Sequence, residues 1–306
     1  MPLWTSFNRW LAGPPPARRP SQRRAPSRQR SHATPVADAA DLDEIDWRFT
    51  AVLVGTTVLR AAPIEPAERD VLDRLEALAR APGDQKLVPR MPALLPRLMS
   101  LVRRDDVSAR EIAAHFARDP ALLGEVIRIA NSPRQGLVRP VSDLQQAILL
   151  LGQAGLRELL ANVVMGPVFN MREGRFSRLG AQRLWQQAER CAEACADFRR
   201  DAGDRFDAYL AGMAANVGLI VALRVLDLHY ASRTPPDTLA FHTTLRDVNA
   251  RLSAVIARQW NFPDVVVSAL DRRARPRPGA EPGDLVVALL AADGIGKSHV
   301  LASVAE

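Results

Sequence analysis

One helix has both of its ends written into the chain, and it constrains the fold more than any other stretch. It runs from Arg118-Asp119-Pro120-Ala121-Leu122-Leu123 to Ala130-Asn131-Ser132-Pro133. Asp119 suits the N-cap, because its carboxylate can accept the free N–H groups of the first turn. Pro120 falls at the first helical position, where a missing N–H costs nothing. Leu122, Val126 and Ile129 or Ala130 repeat at helical spacing and form one apolar stripe. Asn131 suits a left-handed C-cap, and Pro133 stops the helix just beyond it.

Similar punctuation recurs along the chain. Residues 66–80 carry a stripe of Leu72, Leu75 and Leu78 or Ala79, supported by the i, i+4 pairs Asp70–Arg74 and Glu76–Arg80. Ser108-Ala109-Arg110-Glu111 and Ser142-Asp143-Leu144-Gln145 are capping boxes. The second leads a helix that ends near Gly152, and residues 156–164 follow closely. Leu184, Ala188, Cys191, Cys195 and Phe198 lie on one helical face. Residues 206–220 predict one longer, more apolar helix, and residues 245–259 another, ended by Asn261-Phe262-Pro263. Pro263 can start the next, with Val266 and Leu270 facing in, and residues 285–292 begin the last. Residues 45–59 are ambiguous, since Trp47, Phe49, Ala51 and Leu53 alternate like a strand in a helical neighbourhood. No βαβ alternation and no repeat period is evident, so an all-α protein is expected.

Residues 12–40 are rich in Pro, Arg, Ser and Ala, a composition too poor in apolar surface to offset ordering entropy. Residues 1–40 are therefore expected to be a disordered tail, 41–82 a helical extension and 83–300 the main domain, with the boundary at Pro82-Gly83. Trp4, Phe7 and Leu11 share one side of a short amphipathic stretch. It reads as an interfacial foot or a docking peptide on one view, and as a weakly packed end on the other.

The net charge of +7 belongs to the stretch of residues 1–37. Its charges are Arg9, Arg18, Arg19, Arg23, Arg24, Arg28 and Arg30, with no acid before Asp38, and the remainder balances. A basic face for nucleic acid is therefore not expected on the folded part. Cys191 and Cys195, the only cysteines, are too few for a zinc site or a disulfide framework and read as reduced core residues. No apolar run approaches the ~20 residues of a membrane span, and no signal-peptide core is evident, so a cytoplasmic protein is expected.

The punctuated helix is preceded by Leu87-Val88-Pro89-Arg90-Met91-Pro92-Ala93-Leu94-Leu95-Pro96 and followed by Val141-Ser142-Asp143-Leu144-Gln145-Gln146-Ala147-Ile148-Leu149-Leu150-Leu151-Gly152. In this order the stretches resemble the HDOD domain, a helical bacterial signalling module related to the HD metal-dependent phosphohydrolases. The resemblance covers roughly residues 85–295 and sets Asp119, Pro120, Asn131, Ser132 and Gly152 at motif positions. It implies a domain of two packed helical lobes.

HD enzymes hold divalent metal with His residues and a central His-Asp pair, and the metal activates a water. The matching stretch here is Ala211-Gly212-Met213-Ala214-Ala215-Asn216-Val217-Gly218, with Ala215 in place of His and Asn216 in place of Asp. An earlier His aligns with Gln186 or Gln187. A later one aligns with Asn249, eleven residues before Trp260, and a His-His pair aligns with Arg273-Ala274. The resemblance thus implies degenerate ligand positions at Ala215, Asn216, Asn249 and Arg273, with no catalytic residue, metal or other cofactor. His32, His115, His229, His242 and His299 are scattered and do not restore a site. Gly212 and Gly218 read as places of close helix packing.

Ala291-Ala292-Asp293-Gly294-Ile295-Gly296-Lys297-Ser298 resembles a relaxed Walker A loop. Ala291 replaces the first glycine and only eight residues follow Ser298. The stretch therefore reads as a fraying C-terminal helix, whose Ala-Asp fits the final helix of the HDOD pattern. The function implied is a non-enzymatic signalling or regulatory module that binds a partner protein in bacterial signal transduction. The alternatives are a residual HD-type metal-dependent phosphohydrolase, or a tail that binds an anionic surface, membrane or nucleic acid.

Overall fold

The apolar stripes become nine named helices among the described residues of the computed structural model. These residues are 39–81, 87–91, 140–141, 144–199, 202–273 and 284–305, with positions 96, 124, 126–128 and 130–131 between them. The helices are α1 Ala39–Val54, α2 Pro66–Arg80, α3 Leu144–Phe169, α4 Arg175–Asp197, α5 Ala202–Ala214, α6 Val217–His229, α7 Leu239–Gln259, α8 Asp264–Arg273 and α9 Leu285–Ala305. The fold is all-α. Among the described residues β pairing is limited to a single bridge, Arg60 with Thr238. The ambiguous stretch is helical through Val54, because Phe49, Thr50, Leu53 and Val54 bury together as one helical face.

At the centre is α4, which packs against α1, α3, α5, α6 and α9. Its stripe of Leu184, Ala188, Cys191 and Cys195 is fully buried. Burial pushes both thiols up, Cys195 to about 12, so neither is a ready nucleophile. Where α5 crosses α4, a Cβ on Gly212 would lie 2.5 Å from Ala192 Cα, and one on Gly218 would lie 2.6 Å from the Asn249 carbonyl oxygen. Both glycines therefore serve the backbone-to-backbone packing expected of them.

Several expectations need correction. The long helix expected over 206–220 stops at Ala214 and restarts at Val217, because Asn216 turns out of helical geometry (φ −122°, ψ 23°). Asn131 is not a left-handed cap; among the described non-glycine residues only Asn261 has a positive φ. Instead Asn131 Nδ2 donates to the Val141 carbonyl at 2.8 Å, and Val141 N donates to Asn131 Oδ1 at 2.6 Å. Gly152 does interrupt α3, with φ 68° and ψ −177°. Residues 37–306 form one compact unit, and Pro82-Gly83 lies outside the described residues. The cause is apolar: Phe49 and Leu53 of α1 and Val71 and Leu75 of α2 enter the same core as the later helices. Asp119, Pro120, Ser132, both capping boxes and the tail through residue 38 fall wholly or partly outside the described residues.

Two helical stretches, Asp204–His229 and Leu285–Ala305, are long and apolar enough to cross a membrane by length and composition, contrary to expectation. The apolar window of the first is 94% buried within the protein, and the α5–α6 turn interrupts it. The second carries Asp293 and Lys297, both buried.

A polar clasp fixes α1 and α2 to the start of α7. Glu68, fully buried, accepts from Asp237 N at 3.0 Å, Thr238 N at 3.1 Å, the Thr238 hydroxyl at 2.5 Å and Glu65 N at 3.0 Å. A carboxylate there also meets the positive end of the α7 dipole. Beside it, His242 Nε2 lies 3.1 Å from the Pro236 carbonyl and Nδ1 lies 3.0 Å from the Thr50 hydroxyl. A carbonyl only accepts, so Nε2 carries the proton, and the single Thr50 proton is shared between Nδ1 and the Trp47 carbonyl, 3.0 Å from the hydroxyl. Burial pushes this imidazole down to about 4, which keeps it neutral.

Two measurements follow. As pH falls from 6.5 to about 4, the unfolded chain binds a proton that native His242 refuses. Stability is then expected to drop by about 3 kcal/mol across that window, and His242→Gln to flatten this part of the slope. Urea midpoints between pH 7 and 4 check it. Gly212→Val forces α4 and α5 apart and is expected to destabilise by about 2–3 kcal/mol, read as a lower thermal midpoint.

Candidate functional site

The turn between α5 and α6 carries Ala215 and Asn216 into the interior, where they are 0% and 1% exposed. Asn216 Nδ2 donates to Asp293 Oδ1 at 2.7 Å, and Asn216 Oδ1 accepts from Asn249 Nδ2 at 2.8 Å. The Ser253 hydroxyl donates to Asn249 Oδ1 at 3.2 Å and accepts from Gly218 N at 3.0 Å, which ties α7 to the start of α6. From α4, Gln187 Nε2 donates to Asp293 Oδ1 at 2.8 Å. Arg273, at the end of α8, donates to Asp293 Oδ2 at 3.0 Å and to the Ala215 carbonyl. Lys297, one turn beyond Asp293 on α9, donates to Asp293 Oδ2 at 2.7 Å and to Asp46 of α1 at 2.5 Å.

Of the positions aligned with HD ligands, the structure joins Gln187, Ala215, Asn216, Asn249 and Arg273 through hydrogen bonds centred on Asp293. Gln187, not Gln186, is the fully buried member of its pair. Asn131 and Gly152 take no part in these bonds. Trp260 packs in the interior, 2% exposed, with Nε1 donating to the Pro89 carbonyl at 3.3 Å. The C-terminal stretch neither frays nor forms a loop. It is helix α9, with Asp293 and Lys297 only 5% and 4% exposed. Sequence reasoning missed Asp46, Ser253 and the partnership of Asp293 with Lys297. The one available signal was an Asp and a Lys at i, i+4 inside an otherwise apolar run.

Two cations face two carboxylates here, so the cluster closes electrically. Burial pushes the Asp293 carboxyl up, but Lys297 and Arg273 outweigh it and hold it below the ordinary carboxylate range. Burial likewise pushes Lys297 down, and Asp293 and Asp46 more than reverse that.

The donor set does not fit the divalent cation that the resemblance to the HD phosphohydrolases implies. Asp293 already accepts from Gln187, Asn216, Arg273 and Lys297, which fills the lone-pair positions of both oxygens. Amide N–H groups, a guanidinium and an ammonium converge where a metal needs neutral imidazoles and open carboxylates. Among the described residues no three His, Cys, Asp or Glu side chains are grouped to hold a metal ion.

The profile of the HDOD domain matches residues 88–276. A solved structure of an HDOD domain protein of unknown function from Geobacter sulfurreducens aligns with a TM-score of 0.55 at 18% identity, over 74% of this chain and 77% of that one. One from Shewanella amazonensis SB2B, named as a candidate metal-dependent phosphohydrolase, aligns at 0.53 and 18% identity, over 74% and 82%. At such identities the likeness is one of fold. An uncharacterized protein of Treponema pallidum is 26% identical over 195 residues, which are 60% of this chain; the chain spans 37% of that protein's length. Asp46, Asp293 and Lys297 lie outside the residues the profile matches.

Lys297→Met leaves a buried carboxylate with one cation where it had two, and is expected to cost about 3–5 kcal/mol in urea unfolding. The contribution of Asp293 is fully present above the unfolded carboxyl value of 3.8 and is lost as pH falls through its lower native value. That of Lys297 is present below 10.5 and is lost as pH rises through its higher native value.

Proposed function

The chain belongs to the HDOD family, and we propose that it is a signalling or regulatory module that acts by binding a partner protein and hydrolyses nothing. The observation that carries this reading is the Arg273–Asp293–Lys297 bridge, in which Arg273 stands at a position that the HD resemblance sets against a metal ligand. Hydrolysis of the HD type depends on a metal that lowers the pKa of its bound water. Here the interior carboxylate is engaged by internal cations and amides, so a metal would have to displace a guanidinium and an ammonium from low-dielectric surroundings. The partner is expected to be a protein of a signalling pathway, because beyond the tail the charges balance and offer nucleic acid no net attraction.

The test uses the purified full chain. Elemental analysis is expected to find no stoichiometric Mn, Fe or Zn, and added Mn²⁺ is expected to give no hydrolysis of bis(p-nitrophenyl) phosphate above background. Stoichiometric metal together with hydrolysis abolished by a chelator and by Asp293→Ala would restore the phosphohydrolase reading. Crosslinking in the native host is expected to recover the same protein repeatedly; recovery of this chain alone would defeat the partner reading.

A further inference from the structure

The start of α4 gathers arginines that have no carboxylate. Elsewhere on the surface an arginine commonly has one: Arg48 pairs with Glu44, Arg74 with Asp70, Arg80 with Glu76 and Arg205 with Glu158. Arg172, Arg175, Arg178 and Arg233 are exposed and form no ion pair with any described residue. Their hydrogen bonds reach only neutral oxygens. Arg172 Nε donates to Asn170 Oδ1 at 3.2 Å, Arg178 Nε to the Gly174 carbonyl at 3.1 Å, and Arg175 Nη1 to the Arg233 carbonyl at 2.8 Å. The last bond brings the connection between α6 and α7, and Arg233 with it, against the first turn of α4. Arg175 also lies 5.0 Å from the centroid of the Phe176 ring. Two contacts thus hold its planar fork in place and leave most of its N–H groups available.

The helix N-terminus is not itself the attraction, because Asp227 of α6 already accepts from Phe176 N at 2.7 Å and from Ser177 N at 3.0 Å. Glu173 is the other carboxylate of this stretch, and it is exposed. Four cations against two carboxylates, one of them committed to backbone, leave the surface positive although residues 38–306 balance in charge. Leu179, 39% exposed, stands one turn beyond Arg175 on the same helix face and adds an apolar contact. We propose that this surface docks an acidic segment of the partner protein, a run of Asp and Glu with one apolar side chain set against Leu179. The proposal rests on the partner-binding reading above and names where the partner is met and by what chemistry. Guanidinium forks pair bidentately with carboxylates, which is what such a segment presents.

Fluorescence anisotropy of the full chain with a labelled, capped Glu-Glu-Asp-Leu-Glu-Asp-Glu peptide, at about 150 mM salt, tests this. Saturable binding is expected. Arg175→Gln/Arg178→Gln and, outside the helix, Arg172→Gln/Arg233→Gln should each weaken it about tenfold. Arg23→Gln/Arg24→Gln removes the same charge from residues 1–37 and should change it less than about twofold. Absence of saturable binding overturns the proposal. So does equal weakening by the Arg23→Gln/Arg24→Gln control, or unchanged binding in both surface variants when circular dichroism shows them folded. A single-stranded oligonucleotide, or phosphatidylglycerol vesicles, that binds more tightly than the peptide and loses that binding in Arg175→Gln/Arg178→Gln assigns the surface to nucleic acid or membrane and overturns the acidic segment. Crosslinking in the native host separates this proposal from the reading it rests on. A partner recovered equally with and without Arg175→Gln/Arg178→Gln leaves the partner reading standing and overturns this surface. No partner with either chain, together with saturable peptide binding, defeats the partner reading and leaves an acid-binding surface.

Discussion

Asp293 places a carboxylate in the interior of the protein, and the surrounding helices are arranged to meet it. A lone buried carboxylate would take up a proton or unfold the chain before it stayed charged. Four donors prevent that, and two of them carry positive charge. They come from α4, the α5–α6 turn, α8 and α9, and Lys297 extends the contact to Asp46 on α1. Removing any one donor leaves a charge or a polar group unpaired in a place water does not reach. The cluster therefore constrains which elements must dock together, and it makes α1 and α9 part of the domain although both lie outside the family-matched residues.

The clasp at the start of α7 meets the same problem with different chemistry. Glu68 is as buried as Asp293, yet its partners are backbone N–H groups and the Thr238 hydroxyl at a helix N-terminus. Partial charges of the peptide units do there what whole cations do around Asp293. Both clusters connect the N-terminal helices to later ones. Together they help to hold residues 37–306 as one compact unit.

The HDOD fold lies in the shell of helices rather than in the centre. Gly212 and Gly218 keep α5 and α6 in backbone contact with α4 and α7 around the buried cluster of Gln187, Asn216, Asn249, Arg273 and Asp293. A helical shell of this kind needs packing only, and packing tolerates replacement of imidazole by amide when hydrogen bonds are completed elsewhere. The opposite face of α4 bounds a separate cleft of about 790 Å³ against α3.

Much of this was legible in the sequence. Helix positions follow from stripes such as Leu184, Ala188, Cys191 and Cys195, because amphipathic periodicity is a local property that survives folding. That Ala215, Asn216, Asn249 and Arg273 stand where the resemblance sets metal ligands was likewise read from the sequence. What it could not yield was the replacement. Asp46 and Lys297 meet across 251 positions of chain, and Arg273 reaches the Ala215 carbonyl across 58. No local pattern marks such pairs. The same cause hid the break at Ala215-Asn216: apolar spacing runs straight through residues 206–220, and the turn exists because the Asn216 side chain has partners in α7 and α9. Local spacing decides which segments are helices; which charges are buried, and whether they are tolerated there, is decided only when distant helices bring their partners together.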